Sequence, residues 1–158
     1  MHPSTAKVAA ALRALGVAGQ LTELPQPAPT AAAAAAQLGC DVGAIANSLV
    51  FRSGDVPLLI LTSGTHRVDT GRVAALLGTG PVRRADPGFV RASTGQVIGG
   101  VAPVGHPQPL RTLVDVWLDK YDVVWAAAGH AQTVFPTSFA ELMRITAGAP
   151  ADVGADAG

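Results

Sequence analysis

The chain reads as short apolar segments punctuated by glycine and proline. Val8, Ala11, Leu12 and Leu15 recur at helical spacing behind Ser4 and Thr5, either of which can cap a helix that Gly16 ends. Residues 20–24 read as a short strand. Residues 25–29 carry Pro25, Pro27 and Pro29 and are extended chain outside any helix. Thr30 caps a second helix over 31–38, stopped by Gly39. Residues 41–47 make a turn and one helical turn.

Two continuous apolar runs follow, 48–52 and 57–62, joined across Gly54-Asp55. Continuity, rather than alternation, predicts strands buried on both faces. After a turn at 63–65, Val68, Val73, Leu76 and Leu77 fit a third helix, capped by Asp69 or Thr70 and ended by Gly78. Residues 81–84 read as a short strand. Asp86-Pro87 opens a helix to about Ala92, with proline at the first position, where its missing N–H costs nothing. Residues 113–118 and 123–128 read as two more strands, joined through 119–122, with Gly129-His130 ending the second. Thr137 or Ser138 caps a last helix through Ile145, with Phe139, Leu142 and Ile145 on its apolar side. The pattern predicts one α+β domain over residues 1–148, with a central mixed, largely antiparallel sheet and surrounding helices. The tail, 149–158, is expected to be flexible and to fray.

Composition narrows the function classes. Apolar residues make up 49% and charged residues 14% of the 158, which fits a packed globule rather than a disordered chain. A formal net charge of zero leaves any nucleic-acid contact to a local patch. Arg83-Arg84 with Arg67, Arg72 and Arg91 are candidates for such a patch, or are scattered surface charges. The single cysteine, Cys40, excludes an intramolecular disulfide and reads as a small buried hydrophobe at a helix end. The four histidines lack an i, i+4 pair, so no metal and no organic cofactor is expected. No segment reaches the ~18 uninterrupted apolar residues of a membrane span, and a cytoplasmic protein without membrane or DNA partners is expected.

One stretch carries candidate chemistry. Residues 94–106 hold four glycines, a proline and a histidine. Such a loop either presents bare N–H groups to a carbonyl or phosphate oxygen or simply connects two strands tightly. It matches neither the dinucleotide-binding glycine pattern nor the P-loop. His106 reads as a donor or base beside that loop, or as its brace. His130 reads as pocket edge or plain surface. His66, in a turn, is expected at the surface, and His2 is terminal. Asp115, Asp119 and Asp122 read as solvated loop and strand-edge charge.

With these residues in hand, the chain resembles the YbaK/ProX/EbsC family of free-standing aminoacyl-tRNA editing domains. It is similar also to the editing insertion of bacterial prolyl-tRNA synthetases. The resemblance runs through Thr30, Leu38-Gly39-Cys40, the segment 45–51 (Ile-Ala-Asn-Ser-Leu-Val-Phe), Gly64, Arg67-Val68-Asp69, Thr94-Gly95, the segment 98–106 and Ala128-Gly129, and it covers about residues 6–147. It implies hydrolysis of the ester between a wrong amino acid and the terminal ribose of a tRNA. The implied partner is the tRNA acceptor end, with an aminoacyl-tRNA synthetase as a second candidate. Gly99, Gly100, Val101 and Ala102 would supply backbone amides to the ester carbonyl, with Pro103 holding the loop's shape. The pocket is expected between 45–51 and 94–106, with Ile45, Ser48, Thr94, Gly95, Pro103, His106, Gly129 and His130 as substrate-binding positions.

The chain departs from the family at one place. Active members typically carry lysine where this chain has Asn47. That lysine is usually given the role of binding the terminal nucleotide or phosphate. Asparagine keeps hydrogen-bonding groups but has no charge and a shorter reach. Asn47 is expected to orient the substrate in an editing hydrolase. The alternatives are a non-hydrolytic binder of an aminoacyl or tRNA end, and a homologue turned to another role. Arg52, Arg67 or Arg91 are conceivable substitutes for the missing cation.

Overall fold

The structure is a computed structural model that describes residues 2–156. The elements run α1 (Pro3–Ala14), β1 (Thr22–Glu23), α2 (Ala31–Leu38), β2 (Ile45–Ser53), β3 (Val56–Ser63), β4 (His66–Val68), α3 (Thr70–Leu77), β5 (Val82–Arg84) and α4 (Pro87–Thr94). They continue with β6 (Arg111–Asp115), β7 (Val124–His130), β8 (Thr133–Thr137), α5 (Phe139–Thr146), β9 (Ala149–Ala151) and β10 (Gly154–Asp156). Seven strands form the path β1-β8-β7-β2-β3-β6-β9, with β5 added on β2, while β10 and β4 make a separate pair. β2 is antiparallel to β3 and β5 but parallel to β7, and β6 runs parallel to both β3 and β9. The result is the mixed α+β sheet that the apolar runs predict. Among the described residues no helix is long and apolar enough to cross a membrane.

Both faces of the sheet are covered, which explains why β2 and β3 are apolar without alternation. Leu59 and Leu61 face a core built with Val8 and Leu12 of α1, Val90 of α4 and Leu142 of α5. Leu58 and Ile60 face the other way, against Val73 of α3. A third cluster sets Ala34 and Ala35 of α2 on Ile45 and Val134. Side-chain caps open the later helices: Asp69 accepts from Arg72 N, Asp86 from Phe89 N and Ser138 from Glu141 N.

Two element boundaries are corrected, and strands appear that were not predicted. α1 starts at Pro3, because the ring of His2 takes the cap and accepts from Ser4 N at 3.1 Å, with proline at the first turn. Residues 113–118 do not continue as strand. The Asp115 carboxylate accepts from Trp117 N at 3.0 Å and turns 116–120 into a 3₁₀ segment. β8 contains Pro136, which argues against a strand. β1 pairs only Val134 and Thr133 of β8, so at Pro136 the strand has a partner on one side alone. Within the tail the structure describes two strands, as far as residue 156. β9 extends the sheet on β6, Val153 is fully buried, and Arg72 holds Asp152 at 3.0 Å and Gly154 O at 3.1 Å. Residues 157 and 158 lie outside the described part.

Asp115 is also no solvated charge, and His66 is no surface residue. Asp115 is fully buried and collects donors from β3 and β4. Its Oδ2 accepts from Ser63 N at 3.0 Å, from Thr62 Oγ1 at 3.4 Å and from His66 Nδ1 at 2.7 Å. The carboxylate thereby locks the ends of β3 and β6 to β4. We expect Asp115→Ala to lower the unfolding free energy by about 3–5 kcal/mol, since it strands several buried donors. Urea denaturation checks this, and a loss under about 1 kcal/mol would place the lock elsewhere.

Candidate functional site

The main cavity follows from the way β2 changes partner. On one edge β2 pairs with β3 over its whole length. On the other it pairs with β7 only at Ile45 and Ala46, and with β5 only from Phe51 to Ser53. Between them the edge is open. Ile45 O accepts from Gly64 N on the β3 side and Val50 O accepts from Ala85 N on the other. By strand alternation, the N–H and C=O of Ser48 therefore face the gap. A cavity of about 250 Å³ occupies it, reaching α2 through Thr30, Ala31 and Ala34 on one face and Val90, Ile98, Gly99 and Val101 on the other. Its lining is largely apolar and its volume is below the roughly 300–1,000 Å³ of drug-sized pockets, so it suits a small group.

Of the expected site residues, Asn47, Gly99, Val101, Ile45, Ser48 and His130 line this cavity. The Asn47 amide makes none of the described side-chain hydrogen bonds. The Ser48 hydroxyl is buried without a partner among the described residues. Gly100, Ala102, Thr94, Gly95, Pro103, His106 and Gly129 are not among the residues that line it. Gly95 is the left-handed cap of α4, with φ +71°. The Thr94 hydroxyl is turned inward to Val90 O at 2.7 Å. A Cβ on Gly100 would come within 2.7–2.8 Å of the His130 backbone, and one on Gly129 within 2.8 Å of Ser4 O. These two glycines therefore set how closely the loop approaches β7, and β7 approaches α1.

The loop's own amides divide into two groups. Gly100 N donates to Val97 O at 3.1 Å, and Ala102 N donates to the Gln96 side chain at 2.7 Å. Gly99 and Val101, which alternate with them, have no such described partner, and both residues line the cavity together with Ile98. Gln96, which the sequence reading passed over, is buried and spans the loop, its Nε2 donating to Val104 O at 3.2 Å. The available signal was an amide, one donor and one acceptor, inside a loop that must satisfy its own backbone. Arg84, one of the arginines expected as a nucleic-acid patch or as scattered surface charge, also lines the cavity, as does Trp125, which was not anticipated there. Arg52, Arg67 and Arg91 do not line it.

Two histidines take distinct parts. His130 Nδ1 accepts from Gln132 N at 3.2 Å, so the neutral ring carries its proton on Nε2 and can donate from the cavity wall. The ring of His2 lies 5.0 Å from it, so the terminal histidine is a neighbour of the site. His106 braces the loop, its Nε2–H donating to Ala102 O at 2.8 Å. Burial lowers the His106 pKa below the usual value, with the bond to Ala102 O opposing that in part. Cys40 is a poor nucleophile, because burial and the adjacent Asp41 raise its pKa. Among the described residues no group of three metal-ligating side chains converges.

The lowered His106 pKa has a sign. Below its ordinary pKa, near 6.5, the unfolded chain takes up a proton that the folded loop resists. Stability is therefore complete above about pH 6.5 and falls as the pH drops toward the folded value. We expect His106→Gln, which can still donate to Ala102 O, to flatten the decline of the urea midpoint between pH 7 and 5. Parallel declines in both proteins would remove His106 from that role.

Comparison with known proteins identifies the fold and the family. A crystal structure of a candidate trans-editing enzyme for prolyl tRNA synthetase superposes with a TM-score of 0.92 at 40% identity, over 98% of this chain and 99% of that one. The uncharacterized protein YwhH of Bacillus subtilis (strain 168) is 31% identical over 123 residues, 77% of this chain and 78% of its own length. The proline–tRNA ligase of Nitratidesulfovibrio vulgaris (strain Hildenborough) is 30% identical over 145 residues, but the match spans only 25% of the ligase. The model of the aminoacyl-tRNA editing domain matches residues 25–145. The chain belongs to the aminoacyl-tRNA editing domain family.

Proposed function

We propose that this protein hydrolyses the ester of a mischarged aminoacyl-tRNA, taking the aminoacyl end into the cavity at the β2 gap. The observation that carries the reading is the pair of unengaged amides, Gly99 and Val101, on a braced loop at that cavity. The ester carbonyl oxygen would accept from them. Water adds to the carbonyl carbon and the oxygen gathers negative charge, which fixed N–H donors stabilise without reorganising. The C–O bond to the ribose then breaks, the ribose oxygen takes a proton, and the free amino acid leaves. His130 Nε2–H is placed at the wall to donate to a substrate oxygen. Asn47 would orient the reacting end through its amide, and the apolar wall formed with Ala31, Ala34 and Ile45 favours a small side chain. None of these steps calls on a metal.

Asn47, in place of the family's usual lysine, favours one competing reading, a binder that does not cleave. Deacylation of alanyl-, seryl-, threonyl- and cysteinyl-tRNA separates the two. We expect the native protein to hydrolyse at least one of them. We expect Gly100→Ala, which pushes the loop off the His130 backbone, to lose about 10² in kcat/KM while still unfolding cooperatively. Binding of an uncleavable aminoacyl-adenosine analogue without turnover of any ester would establish the binder instead.

A further inference from the structure

Arg84 lines two cavities at once. It closes one side of the cavity at the β2 gap, where it is the only lining side chain other than His130, among the described residues, that can carry positive charge. It also lines a second groove of about 470 Å³ that continues past Arg52, Gly54 and Arg83. The groove holds three arginines against two carboxylates, Asp55 and Asp86. Both carboxylates are committed. Asp55 pairs with Arg52 at 2.8 Å, and Asp86 caps α4 by accepting from Phe89 N at 2.8 Å. Arg52 itself is spent on Asp55, on Gly54 O at 2.7 Å and on the face of Phe89. Arg83 and Arg84 have no ion pair among the described residues.

The backbone holds Arg84 in place. Arg84 stands opposite Phe51 in the β5–β2 pairing, and the next residue ties Ala85 N to Val50 O at 3.2 Å. Its guanidinium carbon lies 5.8 Å from the centre of the Phe51 ring. An exposed guanidinium without an ion pair, carried on a paired backbone at the junction of a small, largely apolar cavity and a basic groove, has a natural ligand: a phosphodiester whose nucleoside enters the cavity. A chain of net charge zero offers no global field for RNA, so such a local anchor is needed.

We propose that Arg84 anchors the phosphodiester preceding the terminal nucleoside of the RNA, supplying from β5 the positive charge that Asn47 does not provide from β2. The proposal rests on the cavity's being the seat of the aminoacyl end. The single-stranded 3′ end then runs out along the Arg83 side of the groove.

The test is equilibrium binding of an uncharged acceptor-stem RNA hairpin with an unpaired CCA 3′ end, followed by fluorescence anisotropy over a salt series. Arg84→Gln should weaken binding about tenfold at low salt and reduce the slope of log affinity against log salt by about 0.7, the contribution of one single-strand phosphate. Arg84→Lys should recover part of both. Removing the three unpaired nucleotides should cost at least as much and leave the hairpin insensitive to Arg84→Gln. Arg84 is exposed, so both variants should melt as the native protein does. Unchanged affinity and slope in Arg84→Gln, equal weakening with and without the 3′ end, or no binding by the native protein would each overturn the proposal. Deacylation measured alongside keeps the two readings apart. Hairpin binding through Arg84 with no ester cleaved would remove the hydrolase and leave the anchor standing.

Discussion

The open edge of β2 is the constraint on which the site depends. A sheet strand normally satisfies its backbone on both sides, and a buried peptide group left unpaired is costly. Here β7 and β5 diverge and leave Ser48 facing a gap, with the Ser48 hydroxyl also lacking a described partner. The fold tolerates this because β3 holds β2 along its entire length and both faces are packed. The deficit is concentrated where a polar ligand can relieve it.

The glycine loop is the second wall, and it is rigid despite its composition. Val101, Ala102 and Val104 are buried in the main core, so the loop is pinned by its apolar residues. Gln96 and His106 then satisfy its polar groups from inside. Each donor they engage leaves one fewer free, and Gly99 and Val101, whose amides have no described partner, are residues that line the cavity. A loop preorganised in this way can stabilise developing charge without first being ordered. Burial favours the neutral form of His106, with the bond to Ala102 O opposing that in part.

Charge is distributed with similar economy. Most of the arginines considered at the outset are engaged or turned away from the site: Arg72 secures the C-terminal segment and Arg52 its own hairpin. Arg67 lies on β4, opposite β10. Residue type alone could not separate these from Arg84, because each is an exposed or half-exposed cation in a polar stretch. The pairing of β5 with β2 makes the distinction.

Local physics made much of the architecture legible in the sequence. Glycine at left-handed caps, Asp and Ser at helix starts, proline at first turns and unbroken apolar runs depend only on neighbours along the chain, and they located most helices and the central hairpin. The motif segments 45–51 and 94–106 likewise contribute residues that line the cavity. Three things depended on contacts far apart in sequence. Asp115 and His66 became a buried pair because β6 brings them together across 49 positions. Strands form within the tail because β6 and β4 offered unpaired edges. The division of the loop into bracing and exposed amides, and the arrival of Arg84 at the cavity, required the whole sheet. Short-range preference is written residue by residue, whereas which buried group finds a partner, and which is left to meet a ligand, is decided only when distant strands close on one another.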